Sequence, residues 1–341
     1  PAALARAFAD ARHDMVDTLV SPVVTAGLRA SAFVGVSVIS KLFLDAQGKA
    51  IAGQETDSEI VVTGWNTNGK GAGWAGQAAR DWNMLRPDQV THDTIRFTKL
   101  AANPVAFEPG RHTAILDRPA MAQIVVRMGG AFDAEWTMQG GGPLYDSKAA
   151  RVRFGERILD PRVMLSSHPN DPDGGYLPFD YMGMPLVPMT WLDTGSTLKN
   201  LAFTTNFAAR NGVHPANEPP SSLRMSGGPT TVEEMIANCE LGIYVNRFAQ
   251  MSDLGGPSAM MTGVTNGGCF LVRHGKIEKA IRDLRFVDSP WLFLNRLEAI
   301  GTTQRTAFGY APWSGGWPIA PTIVPPVVVR DFNFTALADA A

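Results

Sequence analysis

Cysteine is nearly absent. Cys239 and Cys269 are the only two in 341 residues, which excludes a disulfide framework and a structural zinc site built from paired thiols. Such sparse thiol usage fits a reducing compartment, and a cytoplasmic location is expected. Long apolar runs are missing as well: the longest, at 32–38 and 325–329, fall far short of the ~18 to 20 residues that a membrane helix needs. Neither sign of charge dominates, since the formal net charge is -2, so there is no basic field to hold a phosphate backbone by counterion release. No charged stretch followed by an apolar one opens the chain as a secretory signal would. The chain begins at Pro1 rather than Met, and anything upstream is outside this reading.

What is present is the material of a folded protein. Hydrophobic residues make up 45% and charged residues 18%, far from the composition of disorder. At 341 residues the chain exceeds the ~250 to 300 residues at which one hydrophobic core stops growing, so two domains are expected. The Asn103-Pro104 breaker places the boundary, giving an amino-terminal α+β domain over 1–103 and a second domain over 104–341.

Leu4, Phe8, Ala11, Met15 and Leu19 recur at helical spacing, which predicts an amphipathic helix over 2–19. β-Branched and aromatic runs at 32–39, 41–46 and 59–63, with a Gln47-Gly48 turn between them, predict strands. The Gly/Asn/Trp-rich stretch 64–76 contains no phosphate-loop or strand-linked GxGxxG pattern; it reads as a surface loop, with substrate contact as the alternative. A helix is expected over 87–102. In the second half a strand over 112–116 leads through an Asp117 cap and Pro119 into a helix over 120–128, which Gly129-Gly130 weakens. Thr230 and Glu233 have the spacing of a capping box, predicting a helix over 232–241. Strands at 268–273 and 276–281 flank His274-Gly275 as a hairpin. Ser289-Pro290 starts a helix expected over 291–300, and the proline-marked tail 322–334 is expected to be an edge strand.

Three segments, in this order, resemble the carboxy-terminal domain of the TldD/PmbA peptidase family. Arg153-Phe154-Gly155-Glu156 with Ile158-Leu159-Asp160 resembles a family strand, and 174–188, with Pro178-Phe179-Asp180 and Gly183-Met184-Pro185, resembles the loop that follows. Leu192-Asp193-Thr194-Gly195 and Ala208-Ala209-Arg210 match the next turn and helix, and 269–277 matches a late hairpin. The resemblance runs from about residue 81 to the carboxy terminus. It implies an α+β fold of two domains: a shortened amino-terminal module and a mixed, largely antiparallel, β-rich domain with helices.

In the family's active member a helix carries HExxxH, whose histidines hold zinc and whose glutamate is the general base, and a later cysteine is a further ligand. An open zinc site needs three protein ligands and a place for water. Aligned with that motif, this chain has Val126, Arg127 and Ala131, and the cysteine position falls near Tyr310 or Ala311. Neither valine nor alanine can ligate a metal, and the cysteine position has no thiol. The six histidines, His13, His92, His112, His168, His214 and His274, include no helical ligand pair. The resemblance therefore implies the TldE/PmbA-like branch: a metal-free subunit without cofactor of its own, paired with a TldD-like catalytic subunit that carries the zinc and acts on small or unfolded peptides. A stand-alone hydrolase and a homodimeric scaffold are the alternatives.

Other residues weigh toward structural roles. Cys239 is expected inside a helix as a small buried thiol. Cys269 would be a nucleophile only beside a base such as His274, which the hairpin sets across a turn in poor geometry. His168, Asp171, Asp173 and Asp180 lack the order of a calcium loop and read as turn residues, and Asp133 and Glu135 as ordinary polar positions. Trp291, Phe293, Leu294 and Leu297 read as a core-facing helix stripe. Tyr310, Trp313 and Trp317, in the stretch resembling the loop near the cysteine ligand, are candidates for lining a chamber or a subunit interface, with simple packing equally open.

Overall fold

The structure, a computed structural model, describes residues 2–171, 173–174, 179–180, 183–215, 223–306 and 322–338, with the backbone alone over 2–10. The first module is a helix, three strands and a second helix: α1 (Ala2–Thr25), β1 (Arg29–Leu44), β2 (Ala50–Trp65), β3 (Ala72–Ala79) and α2 (Pro87–Leu100). β1 to β3 form an antiparallel meander. Alternation decides its two faces. Ile60, Val62 and Ala75 point to one side and join Leu19 and Val23 of α1 and Val90 of α2 in a core. Val61 and Trp74 point to the other, as the two-residue period of a strand requires.

The stretch 64–76 is thus the end of β2, a turn and the start of β3, rather than a loop. Gly64 and Gly73 are there because α2 lies directly on the sheet. A Cβ on Gly73 would stand 2.3 Å from the backbone nitrogen of Thr98, and one on Gly64 2.4 Å from the Thr98 hydroxyl. Sequence reading counts glycine as a breaker; here it is a close-approach residue within a strand.

The larger part of the chain builds two further sheets. β4 (Gly110–Leu116) runs into α3 (Arg118–Met128), followed by a 3-10 turn over Gly129–Phe132 and α4 (Ala134–Met138). A small ribbon follows, β5 (Tyr145–Asp146) with β6 (Arg151–Val152), then β7 (Leu165–Ser167), β8 (Met189–Leu192), α5 (Thr205–Asn211), β9 (Arg224–Met225) and α6 (Val232–Ala237). Next come the two long strands β10 (Leu241–Gly255) and β11 (Met260–Arg273), then β12 (Lys276–Ala280), β13 (Leu284–Asp288), α7 (Pro290–Phe293), β14 (Leu297–Ile300) and β15 (Gln304–Arg305). β16 (Ile323–Val324) and β17 (Val327–Leu337) complete the described elements.

β10 pairs with both β4 and β11, β11 with β13, β13 with β17, and β17 with β4, so five strands hydrogen-bond in a closed circuit. Phe248, Phe286, Phe332 and Phe334 fill its core, with ring centroids 4.5 Å apart for Phe248 and Phe286 and 5.1 Å for Phe332 and Phe334. β15, β16, β9, β7 and β8 form a second sheet that shares this core. The fold is the expected α+β class, β-rich and mostly antiparallel.

Several expectations are corrected. The tail is not an edge strand: β17 lies between β4 and β13, and Pro325-Pro326 sit where the chain crosses from one sheet to the other, so the prolines fall outside both ladders. The stretch 291–300 is a single helical turn, Pro290–Phe293, and then β14, because 297–300 finds an open ladder on β17. Trp291, Phe293, Leu294 and Leu297 are all buried, so their core assignment survives the change of element. The capping box is shifted by one residue: Thr231 and Glu234 make the reciprocal bonds. That helix ends at Ala237, which puts Cys239 beyond it, buried. The His274-Gly275 hairpin forms as expected, with Arg273 opposite Lys276.

Two buried polar side chains are among the contacts that join the first module to the rest. The buried Asn246 amide donates to the carbonyl oxygens of Trp74, at 2.7 Å, and Gly267, at 2.9 Å. Arg305, also buried, donates to the Asp57 carboxylate at 2.7 Å and to the carbonyls of Asp173 and Gly174 at 2.6 and 3.1 Å. Phe97 of α2 adds a stacked contact with Tyr244 and another with Phe270. The Gly73→Ala variant should lose about 1–3 kcal/mol of unfolding free energy, since backbone and not a flexible side chain blocks the new methyl; an unchanged urea midpoint would remove the close-approach explanation.

Candidate functional site

α3 is the helix that would carry metal ligands under the family resemblance, and its position follows from local chemistry. β4 ends at Leu116, and the Asp117 carboxylate accepts from the Arg118 N–H at 2.7 Å, capping the helix. The other Asp117 oxygen accepts the Tyr244 hydroxyl. Burial and the Asp117 charge both push that phenol well above its usual range, so it stays a donor. Further along, the Gln123 amide grips the backbone of β10 in both directions: Nε2 donates to the Phe248 carbonyl and Oε1 accepts the Phe248 N–H, each at 2.7 Å. The rest of the helix is apolar, with Ala120, Met121, Ala122, Ile124 and Val125 fully buried.

On this scaffold Val126 is half-buried, and Arg127 is half-buried with its guanidinium donating to the Gln123 carbonyl at 2.9 Å and standing 3.9 Å from Asp253. Burial draws the Arg127 pKa below its usual value, and Asp253 works against that shift. Ala131 lies past the end of the α-helix, in the 3-10 turn, and faces the core. These residues do not fit a zinc ion. The aliphatic side chains carry no lone pair, and a guanidinium repels a dication. Among the described residues no group of three or more His, Cys, Asp and Glu side chains is placed to hold a metal. Tyr310, Ala311, Trp313 and Trp317 lie outside the described residues.

Cys269 is not at a strand start but within β11, opposite Val245, and it is buried. Desolvation, with Asp283 adding to it, pushes its thiol far above the usual range, the opposite of what a nucleophile needs. His274 sits at the exposed hairpin tip, its side chain 73% accessible, and pairs with Glu240. The two do not form a catalytic pair. Cys239 and Cys269 are both free thiols.

Two of the loop aspartates, Asp171 and Asp173, are engaged with a cation already present. Asp171 takes two bonds of 2.7 Å from Arg224, which also reaches Asp173 at 3.1 Å. His168 accepts the Asn170 N–H, and Asp180 accepts that of Met184. Asp133 caps α4 through the Trp136 N–H, and Glu135 pairs with Arg210 at 2.6 Å.

Sequence reading missed a cleft of about 400 Å³ between the open face of the β1–β3 sheet and the β10–β11 pair. Trp74, Thr63 and Phe33 are on its sheet side and Arg247 is opposite. The only signal in the sequence was the tryptophan and glycine content of 64–76.

A β-rich α+β protein with a closed five-strand circuit and a core helix behind its first strand is the class that these features define. The sequence model of the PmbA/TldA metallopeptidase C-terminal domain matches residues 109–336, and the chain belongs to that family. A curated Archaeoglobus fulgidus protein named as a metalloprotease is 22% identical over 254 residues, which is 68% of this chain and 57% of that protein. The chain thus spans little more than half of that relative's length. Among solved structures, a Thermotoga maritima protein named as a modulator of a DNA gyrase superposes with a TM-score of 0.79 at 17% identity, over 94% of this chain and 73% of its own. TldE from Thermococcus kodakarensis superposes with a TM-score of 0.76 at 16% identity, over 95% and 74% of the two chains. At these identities the structural likeness speaks for the fold. Among the described residues no helix is long and apolar enough to cross a membrane.

Asp283, beside Cys269, supplies a pH test. Burial raises its pKa to about 6 from an ordinary value of 3.8, although the Thr265 hydroxyl donates to it at 2.8 Å. The folded chain holds this proton up to about pH 6 and the unfolded chain releases it near 3.8. Stability from this group is therefore full below pH 3.8 and declines as pH rises through that interval. Asp283→Asn should gain about 1–3 kcal/mol over the parent at neutral pH, and the gain should fade by pH 4; denaturant midpoints across pH measure it, and a pH-independent difference would contradict this reading.

Proposed function

We propose that this chain is a TldE-like, non-catalytic subunit that pairs with a TldD-like metallopeptidase and helps to bind and shape small or unfolded peptides. One observation carries the reading: where the family's zinc ligands would stand, α3, latched to β10 by Gln123, and the turn after it offer half-buried Val126 and Arg127 and core-facing Ala131. Membership of a metallopeptidase family together with a donor-free helix is the combination expected of a subunit whose chemistry resides on its partner. The burial of Cys269 disfavours the form of the stand-alone hydrolase that would use that thiol as its nucleophile. Both cysteines are free, in keeping with a cytoplasmic, reducing location.

This chain's own contribution would be positioning. Extended peptides are held through backbone hydrogen bonds to sheet edges and through pockets for alternate side chains. The test is reconstitution with a family member from the same source that carries an intact HExxxH. The two should elute as one complex and cleave an unfolded peptide such as reduced insulin B chain, while this chain alone should not. Chelator-sensitive cleavage by the lone chain, or failure of the two to associate, would defeat the proposal.

A further inference from the structure

The open face of the β1–β3 sheet and the middle of β10–β11 enclose the cleft of about 400 Å³, toward the small end of the ~300 to 1,000 Å³ usual for ligand sites. Its floor is chemically ordered. Thr63 stands opposite Trp74 across β2 and β3, and Ser31 opposite Thr63 across β1 and β2, so two hydroxyls and an indole form one row. Phe33 and Trp65 lie on the same face in the neighbouring rows and give the floor an apolar rim.

Across from this floor is Arg247. Its guanidinium lies 4.8 Å from the centre of the Trp74 ring, a cation–π contact that holds it over the indole. Its Nε is buried and, among the described residues, has no hydrogen-bond partner. A buried donor left unmatched is costly. Burial lowers the pKa of this arginine, and Glu59 is the acid whose charge opposes the shift. The position is built rather than incidental. Asn246, the residue before, ties the Trp74 carbonyl to that of Gly267. Gly267, at φ +66°, leaves room for the indole, since a Cβ there would come within 2.6 Å of Trp74 Cβ.

We propose that this cleft binds the terminal carboxylate of a short peptide, with Arg247 as its bidentate partner and the Phe33–Trp65 rim receiving the last side chain. The ligand class follows from the charge and shape of the site. A guanidinium presents parallel N–H groups that match the two oxygens of a carboxylate. A single cation over an aromatic floor suits one negative charge on an apolar body, whereas a phosphate ester calls for several donors. The inference rests on the reading of this chain as a peptide-handling subunit and adds which end of the peptide it holds.

Calorimetric titration of the isolated full chain decides it, with acetyl-Ala-Ala-Phe as the free acid and as its amide. The acid should bind about tenfold or more tightly than the amide, the difference that a charged hydrogen-bonded pair makes. Arg247→Met, which keeps the stem but loses the charge, should remove that preference, and Arg247→Lys should retain part of it. Equal binding of acid and amide by the unmodified chain, or no binding of the acid, overturns the proposal whether or not the variants fold. Acid preference retained in a folded Arg247→Met chain overturns it too. No partner subunit is present in this titration. A negative result beside successful reconstitution removes only this site, and a positive result beside failed reconstitution removes only the pairing.

Discussion

A bulge between two strands governs the arrangement. Val245 is paired with Cys269, but Arg247 is paired with Asn266, so Gly267 and Gly268 together oppose the single residue Asn246. Extra residues of this kind bend a strand and re-aim side chains, and the first of them, Gly267, has the left-handed backbone that glycine adopts without strain. Three consecutive residues of β10 then hold two different elements, β3 and α3. Asn246 binds the backbone of β3, Arg247 stacks on Trp74 over the cleft, and Phe248 is gripped by Gln123 of α3. One local irregularity thereby fixes the position of the amino-terminal module and of the helix at the candidate site.

Under the proposed function, α3 keeps the place of a metal-binding helix without its donors. A metal site needs donors that point into an accessible space. α3 instead spends most of its length on packing, and of its two ionised side chains Arg118 bonds to Thr302 while Arg127 bonds back to its own helix. The resulting stability is of the ordinary apolar kind, with Met121, Ile124 and Val125 fully buried. Family membership and this loss of donors together are the basis for assigning the chemistry to a partner.

Much of the fold was legible where the signal is local. The strand into Asp117, the cap and α3 were readable because proline and aspartate act within one turn, and the His274-Gly275 hairpin because turn chemistry spans two residues. Readings failed where distant partners decide. Residues 291–300 have helical spacing, yet β17 recruits the last four into a ladder. The tail carries prolines, yet they mark a crossing between sheets and not an edge. Adjacent threonines at 230 and 231 left the capping register open by one residue, and the structure selects the second. At the site, Val126, Arg127 and Ala131 could be picked out by alignment alone because a motif is a local pattern. Arg247 could not, because its meaning depends on Trp74, which sequence separates from it and the sheet brings beneath it. Tyr310, Trp313 and Trp317 lie outside the described residues, so their part in a chamber or interface is a proposal that the sequence alone supports.

The central claim is the proposal that the described residues of this polypeptide offer no donor set for a catalytic zinc ion. Equilibrium dialysis of the purified chain against zinc, followed by removal of loosely held ion and elemental analysis, tests it most directly. The account predicts no stoichiometric retention, with the Val126→His/Arg127→Glu/Ala131→His variant as the comparison for what donors on this helix can add. One tightly held zinc ion per unmodified chain would contradict it.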